Sequence, residues 1–286
     1  MGDLHSHIEL VLGRRVLSTE PVGGGSISTT LKVRLQDGGT IFAKVTPQTA
    51  DMFFREARGL SELARGGAIR TPAVMFCDSE ILLLEYIPPT RAANRGRFFE
   101  EFGRQFARLH RFCGASFGFE EDNYIGSTPQ RNLPRTSSWR EFFRVHRLEE
   151  QFKLAERNGY ADERLSKLFA RLENKLPELI PEDRAKPSLL HGDLWQGNYL
   201  CAEGSIPVLI DPAVYYGDRE ADLAMTLLFG GFDESFYEAY NEEWPLGAGW
   251  ERRMELYKLY HLFNHLNLFG TGYYRQVVDA MAFLCR

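Results

Sequence analysis

Cysteine is scarce in this chain. There are four in 286 residues, Cys77, Cys113, Cys201 and Cys285, with no C-x-x-C pair and no metal-ligand spacing. That excludes a disulfide framework and a zinc-ribbon type of site, and it reads as reduced thiols in a cytoplasmic protein. Positive charge is not in surplus either. Lys and Arg number 34 against 39 Asp and Glu, a formal net charge of −5, and no basic cluster marks one face, so nucleic acid is not an expected partner. No apolar run approaches the roughly 20 residues of a membrane span, and the N-terminal residues lack the apolar stretch of a secretory signal. Met1-Gly2-Asp3-Leu4-His5-Ser6 fits the loose myristoylation pattern, but that pattern is short and common by chance, and no membrane attachment is expected. The Walker pattern G-x-x-x-x-G-K-[ST], the G-x-S-x-G elbow and H-E-x-x-H are absent too, which sets aside a P-loop NTPase, a serine hydrolase and a zincin. His261 and His265 have zinc-ligand spacing, but Leu262-Phe263-Asn264 between them carries no Glu, and the segment reads as a packed helix.

What is present changes texture near residue 87. Before it, strand signals dominate. Leu31, Val33 and Leu35 alternate with Lys32 and Arg34, the period of a half-buried strand. Gln36-Asp37-Gly38-Gly39 supplies a turn, and Thr40 to Val45 a return strand. Pro47 opens a helix with Phe53, Ala57, Leu60 and Ala64 on one stripe, which Gly66-Gly67 ends. Ile81 to Leu84 is a short buried strand. After residue 87 the spacing predicts helices over 97–113, 138–157, 162–176, 218–229, 234–242 and 250–268, with an irregular stretch at 189–217. The expected architecture is α+β in two lobes, a small antiparallel sheet in residues 1–86 and a larger, mainly helical lobe in 87–286.

The irregular stretch holds the chemistry. Leu190-His191-Gly192-Asp193-Leu194-Trp195-Gln196-Gly197-Asn198 is followed by Val208-Leu209-Ile210-Asp211-Pro212, an apolar strand that ends in a carboxylate thirteen residues after Asn198. Phosphoryl transfer needs a carboxylate to orient the attacking hydroxyl and accept its proton, oxygen ligands for Mg²⁺, and positive charge on the phosphates. Asp193 suits the first role. Asn198 and Asp211 suit the second, since Mg²⁺ prefers hard oxygen donors.

At the other end, Gly23-Gly24-Gly25-Ser26-Ile27-Ser28 lies between strand signals. Such a turn is either a plain hairpin loop or one whose backbone N–H groups approach phosphate oxygens. Lys44 is the single cation in the apolar Phe42-Ala43-Lys44-Val45, and Glu56 in the following helix is its expected partner, ahead of Glu62. Glu85-Tyr86-Ile87 sits where the texture changes.

These residues resemble the protein-kinase signature, with His191-Gly192 in place of His-Arg and Asp211-Pro212 in place of Asp-Phe-Gly. The replacements resemble the small-molecule branch that includes aminoglycoside phosphotransferases and choline kinases. The stretch from Asp211 to Met225, the Trp195 of the catalytic loop, Asp122 to Gly126 with Pro129-Gln130, and Trp139 with Phe142-Phe143 narrow the likeness to the fructosamine kinase (ketosamine-3-kinase) family, bacterial type. The resemblance implies ATP-dependent phosphorylation of the sugar 3-hydroxyl of ketosamines, free or on protein lysines, followed by loss of the sugar from the amine. It implies Asp193 as base, Asn198 and Asp211 as Mg²⁺ ligands, Lys44 and Glu56 as the phosphate-orienting pair, Gly23, Gly24, Gly25 and Ser26 around the phosphates, and backbone groups of Glu85 and Ile87 at adenine. Some eukaryotic members carry a redox-active Cys in the glycine loop; Ser26 in that region implies no thiol switch. Trp195 and Tyr215 are the expected aromatic substrate contacts, while Arg219 and Asp222 are expected to brace the catalytic loop. Another small-molecule kinase, or a pseudokinase binding module, remain the alternatives.

Overall fold

The computed structural model describes residues 2–23, 28–45, 49, 51–181 and 185–286. Gly24, Gly25 and Ser26 of the glycine-rich turn, and Pro47, lie outside the described residues.

The first lobe opens with a helix, α1 (Gly2–Leu12), that the sequence reading did not anticipate. It is followed by β1 (Val16–Pro21), β2 (Thr29–Leu35), β3 (Thr40–Val45), α2 (Met52–Gly66), β4 (Val74–Cys77) and β5 (Ile81–Glu85). The strands form one antiparallel sheet in the order β1-β2-β3-β5-β4. The alternation in β2 buries Val33 and Leu35 against Ile8 of α1, Ile41 and Leu83. α2 presents Phe53 and Leu60 to Leu82 and Leu84 on the opposite sheet face. It stops at Gly67, whose left-handed φ of 64° lets its N–H reach the Ala64 carbonyl.

The second lobe is helical. α3 (Arg95–His110) is capped by the Asn94 side chain, which accepts the Arg97 N–H. Its Phe98, Phe99, Phe102 and Phe106 are buried, each contributing roughly 1.5–3 kcal/mol over an exposed ring. A short ribbon follows, β6 (Asn123–Ile125) with β7 (Thr128–Gln130). The helix expected over 138–157 is three pieces: α4 (Trp139–Phe142), a π-helical turn (Phe143–Glu149) and α5 (Glu150–Arg157). The wide turn coincides with a buried cation, since the Arg147 guanidinium lies 4.0 Å from the Tyr215 ring centre and 4.7 Å from that of Phe142. α6 (Glu163–Leu179) comes next. After the catalytic segment come α7 (Arg219–Leu227), α8 (Glu234–Glu243), α9 (Trp250–Phe269) and α10 (Tyr274–Leu284). α8 packs along α3, with the Phe102 and Phe236 ring centres 5.3 Å apart. α9 is buried on nearly every side, which is why it carries little amphipathic signal.

Two ribbons frame the chemistry. β8 (Ser188–Leu190) pairs with β11 (Tyr215–Gly217), and β9 (Tyr199–Ala202) pairs with β10 (Ile206–Leu209). The loops 191–198 and 210–214 cross between the ribbons and are stitched together: Ala213 N–H donates to the His191 carbonyl at 2.8 Å, and Ile210 N–H to the Asn198 carbonyl at 3.1 Å. Among the described residues, no helix is long and apolar enough to cross a membrane.

Candidate active site

Lys44 on β3 is buried and its Nζ lies 2.7 Å from Glu56 Oε1 on α2 and 2.8 Å from Asp211 Oδ1 at the end of β10. Burial disfavours the ammonium, but Asp211 and then Glu56 outweigh it and hold Lys44 protonated. Glu62, the lesser candidate for this pairing, instead pairs with Arg65 and accepts the Tyr216 hydroxyl at 2.7 Å. α2 approaches the Asp211 loop closely because Gly59, three residues after Glu56, has no side chain. A Cβ there would stand 3.2 Å from Pro212 and 3.3 Å from Val214. Asp211 adopts a left-handed φ of 53°, rare for a residue other than glycine, so the strand ends in a turn that the stitched loops must hold.

The catalytic loop is fixed from below by α7. Both carboxylate oxygens of Asp222 are used, accepting the His191 N–H at 2.6 Å and the Gly192 N–H at 2.8 Å, with His110 Nε2 also 3.2 Å away. His191 links the two loops: its Nε2–H donates to the Ile210 carbonyl at 2.9 Å, leaving Nδ1 to accept the Asp193 N–H at 3.3 Å. Arg219 is committed to the carbonyls of Trp244 and Pro245. Gly192 has a φ of +83°, and a Cβ there would come within 2.0 Å of the Ala213 carbonyl oxygen. Gly192→Ala is therefore expected to cost more than about 2 kcal/mol, from the left-handed conformation plus the clash. The check is the thermal midpoint, which should fall by several degrees; an unchanged midpoint would mean that the loop has a second comfortable arrangement.

Asp193 lies low in a cleft of about 190 Å³ whose walls include Ser28, Lys44, Glu56, Trp195, Asn198 and Asp211. Desolvation pushes its carboxyl well above the usual carboxylate range, and Asp211 adds to the push, while the hydrogen bond from Asn198 opposes it. A raised folded-state affinity for the proton makes ionisation of Asp193 costly to the fold, and that cost appears as pH rises through the folded-state value. Asp193→Asn should therefore raise the melting temperature of the nucleotide-free protein, with a larger gain at pH 8 than at pH 4.5. Thermal scans at the two pH values check this; an equal or smaller gain at pH 8 would remove the desolvation argument.

Asn198 donates its Nδ2 to the Asp193 carbonyl at 2.8 Å and to Asp193 Oδ2 at 3.2 Å, and its Oδ1 accepts from no described residue. The oxygens of Asn198 and Asp211, on the wall of one cleft, are the hard donors that suit Mg²⁺. Trp195 is 39% exposed on the same wall. Tyr215 corrects the sequence reading. It is 2% exposed, packed among Trp139, Phe142 and Arg147, and does not reach the cleft. Strand alternation sends Tyr215 into the core and Tyr216 toward α2. Gly23 is described but is not part of the cleft lining, and neither are Glu85 and Ile87. Glu85 has its N–H bonded to the Ala73 carbonyl and its carboxylate paired with Arg70. Ile87 is buried with Ala202 and Val208, beside Leu200 and Ile210. Sequence reasoning missed Arg55, Asn264, His265, Leu268 and Phe269 of the lining. None of these carried a local pattern that pointed to the site.

A small sheet lobe with a Lys–Glu pair, set over a helical lobe carrying a loop Asp, a loop Asn and a strand-end Asp, defines a phosphotransferase of the kinase-like fold. The sequence profile described as Fructosamine kinase matches residues 3–286, so the chain belongs to the fructosamine kinase family. A "Probable ketoamine kinase" of Synechocystis sp. is 40% identical over 271 residues, covering 92% of this chain and 88% of its own length. The chloroplastic protein-ribulosamine 3-kinase of Arabidopsis thaliana is 40% identical over 260 residues, covering 88% of this chain and 78% of its own. The crystal structure of a candidate fructosamine-3-kinase from Thermobifida fusca superposes with a TM-score of 0.88 at 33% identity, over 99% of both chains.

Proposed function

We propose that this enzyme transfers the γ-phosphoryl group of ATP to the 3-hydroxyl of a ketosamine, a fructosamine or ribulosamine on a small amine or a protein lysine, as a deglycation step. Asp193 orients the hydroxyl and takes its proton as the oxygen attacks phosphorus; ADP leaves, and the phosphorylated adduct later breaks down to free the amine. Lys44, held by Glu56, contacts the ATP phosphates, and the glycine-rich residues 23–26 are the second expected phosphate contact. Asn198 and Asp211 would hold Mg²⁺, which supplies charge neutralisation on those phosphates. Adenine lies against the apolar patch around Ile87, and any contact from Glu85 comes from its carbonyl. Trp195 offers an aromatic face to the cationic amine. We place the lobe division, 1–86 and 87–286, in the connection between β5 and α3. The four cysteines are free, which supports a reducing, cytoplasmic setting.

The observation that carries this reading is the convergence of Lys44, Asp193, Asn198 and Asp211 on one cleft in a chain of this family. The intact set also argues against a pseudokinase. The test is Mg²⁺-ATP turnover on fructosyl-lysine and ribulosyl-lysine beside an aminoglycoside and choline. Turnover of the ketosamines alone supports the reading; activity confined to a control alcohol replaces the substrate and keeps the chemistry.

A further inference from the structure

One wall of the cleft has no role in the chemistry above. α9 contributes Asn264, His265, Leu268 and Phe269 to the lining that also holds Asp193 and Trp195. His265 Nδ1 lies 2.8 Å from the His261 carbonyl. A carbonyl only accepts, so Nδ1 carries the proton, and in the neutral ring Nε2 is left as an acceptor. Among the described residues, nothing donates to it. Burial lowers the proton affinity of the ring, which favours that neutral form.

The ring is held in place. Phe229, Tyr273 and Phe269 have their ring centres 4.7, 5.2 and 5.4 Å from it. Phe229 sits at φ 56°, ψ 40°, a conformation that costs a residue with a side chain about 1–2 kcal/mol. The loop that strains it is tied to the catalytic loop, because Gln196, next to Trp195, donates Nε2–H to the Gly231 carbonyl at 3.0 Å. Strain kept beside a side chain of the cleft wall and braced from the catalytic loop points to a site. Trp195, Phe229 and Phe269 are 39%, 41% and 62% exposed. Rings that served only as core filler would be covered.

We infer that His265 is a substrate-binding residue, its Nε2 accepting a hydrogen bond from the ammonium N–H of the ketosamine, with Trp195 and Phe269 flanking the amine-bearing arm. A neutral imidazole accepts from a cation where an imidazolium would repel it, and aromatic faces favour the same cation. The assignment rests on the ketosamine reading and goes further by naming what recognises the amine.

The experiment measures KM and kcat of the full-length enzyme and of His265→Phe and His265→Gln, with fructosyl-lysine and with fructose, beside the KM for ATP. His265→Phe should raise the KM for fructosyl-lysine about 10-fold or more, the scale of a lost hydrogen bond to a charged group. The KM for ATP should rise less, and His265→Gln, which keeps an acceptor, should recover part of the loss. An unchanged KM in His265→Phe overturns the inference. So does an equal rise for fructose, which would give Nε2 to a hydroxyl, and so does a loss shared by Gln and Phe together with the KM for ATP, which would make His265 structural. Wild-type enzyme silent on fructosyl-lysine overturns the ketosamine reading and this inference together, whereas an active wild type with an indifferent His265→Phe overturns this inference alone.

Discussion

Asp193→Ala should lower turnover by about 10²–10⁴-fold, the usual contribution of a positioned general base, while ATP still binds. The structure separates the two effects. Asn198 donates to the Asp193 main-chain carbonyl as well as to its carboxylate, and His191 Nδ1 accepts the Asp193 N–H. Both backbone links survive the substitution, as do the Asp222 bonds beneath the loop. The carboxylate is lost without the loop that carries it. The proton affinity of Asp193 is raised partly by its neighbour Asp211. A cation held at Asp211 and Asn198 would offset that push and favour the ionised base, so the group is best prepared to accept a proton when nucleotide is in place. Nucleotide affinity by calorimetry, beside turnover, checks the prediction; a variant with wild-type turnover would remove Asp193 from the chemistry.

Asp211→Asn should damage both quantities. The substitution removes a negative charge 2.8 Å from Lys44 and leaves a neutral, weaker oxygen donor where Mg²⁺ would sit, while Glu56 at 2.7 Å still holds the lysine. Turnover should fall by about 10²-fold or more, the scale seen when one preorganised electrostatic group is removed. The apparent KM for Mg²⁺-ATP should rise with it, and excess Mg²⁺ should recover part of the loss. Measuring KM against Mg²⁺ concentration distinguishes this from a folding defect, which Mg²⁺ would not reverse. Loss of turnover with unchanged nucleotide and Mg²⁺ dependence would place Asp211 elsewhere in the mechanism.

The two predictions concern residues that could be read from the sequence, for a reason tied to geometry. The catalytic loop and the strand-end Asp are local: a loop of fixed length between β8 and β9, and a strand that stops, force a characteristic spacing in the chain. β3 and the Lys44–Glu56 pair were legible because an apolar return strand with one cation is followed by a helix with one buried stripe. Tyr215 failed because two adjacent tyrosines on a strand face opposite ways, and which one faces the core depends on Trp139 and Arg147, far away in sequence. The π-helical turn at 143–149 was invisible because its extra residue is fixed by tertiary contacts of Arg147. His265 and Phe269 were missed because α9 is buried nearly all round, so the face it turns to the cleft has no periodic contrast to reveal it. α1 and α10 were not anticipated from the sequence; both bury apolar residues, Ile8 in the first lobe and Val277, Val278 and Met281 in the second.

The most direct test of the account is the position of the phosphate on the product. The enzyme would be incubated with fructosyl-lysine and Mg²⁺-ATP, with Asp193→Ala as the blank, and the sugar followed by phosphorus and carbon NMR while free lysine is assayed. The account predicts a 3-phosphate that forms only with the intact enzyme and then decays as lysine appears. Phosphate on another hydroxyl, or a stable product that releases no lysine, would contradict it.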